Sequence, residues 1–113
     1  MTITSSRSVL KTYETFELLR IAAQEREMPA QLIITFLWIA SHDGCKQESL
    51  MEAASISKSA VSRNVSWLSG KHRLTHRKGL NWIKRERDPD NWRAWRLHLT
   101  EKGNQLVRRI EAM

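Results

Sequence analysis

A chain of 113 residues, 41% of them hydrophobic, makes a single domain over 1–113, long enough to bury roughly two thirds of the surface its unfolded form exposes. Its one cysteine, Cys45, excludes an internal disulfide, so no oxidising compartment is required and a cytoplasmic setting is expected. The longest apolar stretch, Leu32 to Ala40 broken only by Thr35, falls far short of the roughly 18 residues that cross a bilayer; with no signal peptide visible, a membrane partner is not expected.

The net charge of +7 is unevenly placed. Residues 1–57 hold five basic against seven acidic side chains, whereas residues 71–96 hold nine basic against three acidic. A cationic excess confined to one segment suits a face built for a polyanion, and nucleic acid is the leading partner.

In chain order, Ser5 or Ser6 can cap a first helix in which Val9, Tyr13, Phe16, Leu19 and Ala23 recur at spacings of three and four. That apolar stripe needs a partner surface. Pro29 suits the first turn of a second helix, which runs to about Ser41 and has almost no polar face, placing it at the centre of the domain. Gly44 breaks it within a turn from His42 to Cys45. The spacing then predicts a helix-turn-helix over 47–69. Gln47 to Ala54 forms a short helix with Leu50, Met51 and Ala54 inward, and Ser55 and Ile56 turn the chain. Ser57 caps a helix whose Val61, Val65 and Leu68 share one buried side. The other side presents Lys58, Ser59, Ser62, Arg63 and Ser66, short hydroxyls and two cations that let a helix approach a major groove closely. Serine is a mediocre helix former, so five serines between Ser57 and Ser69 argue for a partner on that face.

The period changes over 80–99. Leu80, Trp82 and Ile83 precede the run Lys84, Arg85, Glu86, Arg87; Asp88 to Asn91 supply a turn, and Arg93, Trp95, Leu97 and Leu99 alternate with Trp92, Ala94, Arg96 and His98. This is a hairpin, or wing, with a basic tip. Lys84, Arg85, Arg87 and Arg93 are its candidate phosphate and groove contacts, and Trp95 is expected to pack on the core beside Leu97 and Leu99. Thr100 then caps a last helix carrying Leu106, Val107 and Ile110. The fold expected is mainly α with a small β-hairpin, a winged helix-turn-helix.

The pattern Asn91-x-Arg93-x-x-x-Leu97-x-Leu99-Thr100-x-x-Gly103 resembles the wing signature of the MarR family of transcriptional regulators. The phrases Pro29-Ala30-Gln31-Leu32 and Ser57 to Arg63 are similar to that family's second helix and recognition helix, so the resemblance covers about residues 7 to 110. It implies a homodimer, closed through helices over 7–27 and 101–113, that places two recognition helices in successive major grooves of a pseudo-palindromic operator, with Arg93 reaching the flanking minor groove. It also implies repression by blocking polymerase, with release by a small phenolic or an oxidant in many members. Three departures stand out. Asn91 replaces the carboxylate that in the family steadies the wing arginine. The segment from Ser69 to Lys78 is longer than usual and strongly basic, able to add phosphate contacts. The chain stops at Met113, inside what would be the fifth helix, so the last helix of the dimerisation bundle is expected to be missing.

Other chemistries are weaker. Trp82, Trp92 and Trp95 interleaved with arginine could stack single-stranded bases, Trp92 being the exposed candidate. His72 and His76 stand four apart, but their neighbours are cations, which oppose a metal. His42 and Asp43 adjoin with no nucleophile identifiable, and nothing marks Cys45 as a lowered-pKa redox thiol. No phosphate loop appears; neither an enzyme nor a cofactor or metal is expected. The alternative to a regulator is a winged-helix adaptor that docks a protein or the replication machinery and binds DNA nonspecifically or not at all, its first-helix stripe left free for that partner.

Overall fold

The computed structural model of the chain describes residues 6–70 and 78–113. Ser6 caps α1 (Arg7–Ala23), its hydroxyl accepting from the Val9 N–H at 3.3 Å. The helix ends short of the expected residue 27 because Gln24 turns into the left-handed region (φ 56°) and returns its N–H to the carbonyls of Arg20 and Ile21. Only Thr15 and Leu19 of α1 are buried; Val9, Leu10, Tyr13, Phe16 and Ile21 are exposed. Its main attachment is to the C-terminal end of the chain, where the Thr15 hydroxyl lies 3.8 Å from Met113 Sδ.

Helix α2 (Ala30–Ser41) is the central element, burying Leu32, Ile33, Thr35, Phe36 and Ile39. Pro29 stands just before its first residue, with the Leu32 and Ile33 N–H groups bonded to the Pro29 carbonyl. After the turn at Gly44 (φ 87°) comes β1 (Cys45–Lys46), then α3 (Gln47–Ala54) and, past a left-handed Ser55, α4 (Lys58–Leu68). The hairpin is β2 (Ile83–Asp88) and β3 (Asn91–Leu99), followed by α5 (Glu101–Glu111). The strands form one antiparallel sheet in the order β1-β3-β2. Cys45, expected within the turn, belongs with Lys46 to a strand; two residues carry no alternation, and only pairing with Arg96 and Leu97 makes them one.

Helix α4 is held on α2 by a polar seam inside an apolar contact. Asn64 Nδ2 donates to Gln31 Oε1 at 3.2 Å and to Thr35 Oγ1 at 3.3 Å, while the Thr35 hydroxyl donates to the Gln31 carbonyl at 2.8 Å. Sliding the contact of Val61, Val65 and Leu68 would leave the buried Asn64 amide unpaired, so the seam favours one register of the helix pair.

The wing is rooted in the core at Trp82, which is fully buried and packs edge-on to Phe36 with ring centres 5.0 Å apart. The chain beside it runs back along the end of α4: the N–H groups of Leu80, Asn81 and Trp82 bond to the carbonyls of Trp67, Ser69 and Leu68. Thr100 closes the base of the wing, its N–H donating to the Trp82 carbonyl and its hydroxyl to that of Asn81. The same hydroxyl caps α5 by accepting from the Gly103 N–H at 3.0 Å. Gly103 has to be glycine, since a Cβ there would collide with the Trp82 carbonyl. Leu97, Leu99, Thr100 and Gly103 thus act as one device fastening the wing and α5 to α2.

Candidate nucleic-acid interface

The Ser57 hydroxyl accepts from the Ala60 N–H at 3.2 Å and starts α4, leaving Lys58, Ser59 and Arg63 exposed and Ser62 half-buried on the side away from α2. Ser59 and Arg63 stand one turn apart and share that face. Ser66 does not belong to it. Its side of α4 is exposed nearer the N-terminus, but Ser66 sits in the last turn, where the chain doubles back along Trp67 to Ser69, and it is 3% exposed. Helical periodicity predicts an angle around the axis and carries no information about which turn another segment covers.

The hairpin divides its cations between two faces. Residues directly opposed across an antiparallel ladder share a face, and here Ile83 opposes Leu99, Arg85 opposes Leu97 and Arg87 opposes Trp95. Arg85 and Arg87 therefore continue outward the face that packs on the core at Ile83 and Leu99. Trp95 shares this face with Leu97 and Leu99 but does not pack on the core as expected; half-buried further out along the wing, it serves as a platform, with the guanidinium carbons of Arg87 and Arg85 3.7 and 4.9 Å from its ring centre. Lys84 lies on the opposite face, 3.3 Å from Glu86, and is not brought together with Arg85 and Arg87.

Between the pairs Arg87 with Trp95 and Asp88 with Asn91, three residues of β3 have no counterpart on β2. Trp92, Arg93 and Ala94 thus arch out of the ladder as a bulge, with Trp92 70% exposed and the Arg93 guanidinium 5.8 Å from its ring. Asn91 Oδ1 accepts from the Arg93 N–H at 3.2 Å, a local turn in place of a carboxylate–guanidinium bond.

A carboxylate does anchor the wing, but it is Asp88, expected only to supply turn chemistry. The Asp88 side chain is 1% exposed; it accepts from the Asp90 N–H at 2.9 Å and lies 3.3 Å from Arg96 Nε and 4.0 Å from Lys46 Nζ. The Asp90 N–H, then the charges of Arg96 and Lys46, hold its carboxyl below the usual carboxylate range against the opposing effect of burial. Arg96 also donates to the Gly44 carbonyl at 3.0 Å, so one guanidinium ties the hairpin tip to β1. The signal available in sequence was the pairing of an acid in the turn with an arginine on the return strand, which is common enough to be uninformative without the register.

The remaining candidates have structural roles. The His42 ring stacks on Trp38 at 4.2 Å with its Nδ1 against the Trp38 carbonyl, and Asp43 accepts from the Leu99 N–H at 2.9 Å, closing the sheet. Burial pushes the Cys45 thiol up to about 11, so the thiolate that oxidation requires is scarce at neutral pH. Among the described residues there is no group of three or more potential metal-ligating side chains and no helix long and apolar enough to cross a membrane. His72, His76 and most of the basic segment 69–78 lie outside the described residues.

No family model and no curated protein matches the chain. Solved structures do. A transcriptional regulator from Thermotoga maritima is similar at TM-score 0.67 and 22% identity over 93% of this chain and 65% of its own. A MarR transcriptional regulator from Methanosarcina mazei gives 0.64 and 23% over 93% and 68%. Reduced AbfR bound to DNA gives 0.62 and 15% over 91% and 71%. The chain has the MarR-like winged-helix fold.

Proposed function

We propose that the chain is a sequence-specific, double-stranded-DNA-binding transcriptional regulator, a repressor that acts as a homodimer on a pseudo-palindromic operator. The observation that carries this reading is the exposure of Lys58, Ser59 and Arg63 on a capped helix, in the same domain as a hairpin bearing Arg85, Arg87 and Arg93. Helix α4 presents short side chains that permit close approach to base edges, with Arg63 the residue long enough to read a guanine in bidentate fashion. Arg85 and Arg87 meet phosphates, and Arg93 on its bulge reaches the flanking minor groove, where negative potential is concentrated. The fold is shared with regulators, one of which is bound to DNA in its structure.

The dimer rests on α1. Val9, Tyr13 and Phe16, with Thr12, line a shallow apolar surface that nothing among the described residues covers. Burying it against a second copy would set two α4 helices on one side of the assembly, matched to half-sites about one helical turn (~34 Å) apart.

Selection from a random duplex pool at fixed salt, read beside sedimentation mass, tests both parts. The expected result is an enriched two-fold symmetric site bound by two chains. Duplex binding with no enriched sequence, by a monomer, would instead support the adaptor reading, in which the α1 stripe receives another protein.

A further inference from the structure

The bulge gives the wing a second feature besides its arginine. A tryptophan at a hairpin tip ordinarily stabilises the hairpin by packing on a cross-strand partner. Trp92 has none on β2, because the register jumps from Arg87 opposite Trp95 to Asp88 opposite Asn91. The indole is 70% exposed, and the Arg93 guanidinium lies 5.8 Å from its ring centre. The arch is also braced from behind: Asp88 is buried with Arg96 and Lys46 around it, and Asp88 and Asn91 accept the Asp90 and Arg93 N–H groups on either side of the turn. An exposed π-face and a cation are therefore held side by side at the end of an anchored hairpin, with Asp90 the acid exposed at the same tip.

We propose that Trp92 is a nucleobase-stacking residue: on DNA, it inserts beside Arg93 against a base that has left the stack next to the wing. This rests on the duplex-binding reading above and adds to it a specificity that arises from the deformability of the site. Indole offers every base the same π-face, so Trp92 does not distinguish letters. It favours steps that open easily, such as TA and CA/TG, over stiff A-tracts, because opening the step is the cost that stacking offsets. Arg93 supplies attraction to the groove and Trp92 senses whether the groove yields.

Fluorescence anisotropy with the full chain and two labelled duplexes of equal length, both carrying the selected site, tests this, one fully paired and one with a single unpaired thymine beside the wing. The parent is expected to favour the unpaired probe by about tenfold, the order that one base stacked on an aromatic side chain supplies. Trp92→Ala should bind both probes alike, Trp92→Phe should keep most of the preference, and Arg93→Ala should weaken both probes equally. A preference that survives in Trp92→Ala, or a parent that binds both probes equally well, overturns the stacking role while leaving the regulator reading intact. A parent that binds neither probe overturns both. If Trp92→Ala changes the sedimentation mass and leaves probe preference untouched, the indole is a protein contact and the proposal is wrong.

Discussion

The guanidinium carbon of Arg87 lies 3.7 Å from the ring centre of Trp95, its direct partner across the β2–β3 ladder. A guanidinium laid on an indole keeps its in-plane N–H donors at the edges while losing the freedom of a long side chain, so it meets a phosphate with less ordering cost. Trp95→Leu keeps an apolar side chain beside Leu97 but removes the π-face. It is expected to weaken binding to all duplexes alike, and Arg87→Ala should in addition flatten the salt dependence by about one unit of log slope, one phosphate contact's worth. Affinity measured over a salt series checks both. An unchanged slope in Arg87→Ala would place that arginine away from the backbone.

Specificity is expected to sit on α4. Arg63→Ala should relax the preference at particular base pairs by about 1–3 kcal/mol if its contact is bidentate to guanine. Ser66→Ala should leave the preference unchanged, because Ser66 is 3% exposed and cannot meet a base edge. Competition of the selected site against single-base variants separates the two. Equal discrimination by Arg63→Ala and the parent would remove α4 from the reading head.

Much of this architecture was legible in the sequence. Ser57 as the cap of α4, the inward Val61, Val65 and Leu68, the bounds of α3 and the strand alternation from Trp95 to Leu99 all follow from local periodicity and capping. What escaped depends on contacts between distant segments. Ser66 is buried by its place in the last turn of α4. Lys84 and Arg85, adjacent in the chain, part to opposite faces once the ladder has a register. Asp88 becomes the wing's anchor only because β1, two residues long, brings Lys46 toward it and because Arg96 bridges to Gly44. The bulge that displays Trp92 is likewise a pairing fact, invisible to an alternation that continues evenly through it.

Gly103 offers a test of how the wing is attached. A Cβ at this position would collide with the backbone carbonyl of Trp82 and touch Leu99, and a backbone atom cannot swing aside as a flexible side chain can. Gly103→Ala should therefore destabilise the fold by about 1–3 kcal/mol, the usual range for forcing atoms into a packed site, despite alanine's better helix propensity. Urea unfolding with an unchanged slope checks it. A variant as stable as the parent would show that α5 does not rest on Trp82 as closely as described.

Asp88 predicts an acid-sensitive wing. Its carboxyl is held below the usual range first by the Asp90 N–H and then by Arg96 and Lys46. A group whose folded pKa lies below its unfolded one contributes stability that is fully present above the unfolded value and is lost as pH falls through the folded value. The contribution is thus complete at neutral pH and fades from about pH 4 downward, where an ordinary aspartate takes up its proton. Asp88→Asn retains an acceptor for the Asp90 N–H but leaves the half-buried Arg96 without its counter-charge, so it should melt lower than the parent at neutral pH. As pH drops, the parent's own carboxyl becomes neutral and the gap between the two melting temperatures should narrow. Thermal melts of both proteins from neutral to strongly acidic buffer measure that gap directly. A difference that stays constant over the whole range would mean the Asp88 charge contributes nothing to holding the wing, and that its role is confined to the hydrogen bond with Asp90.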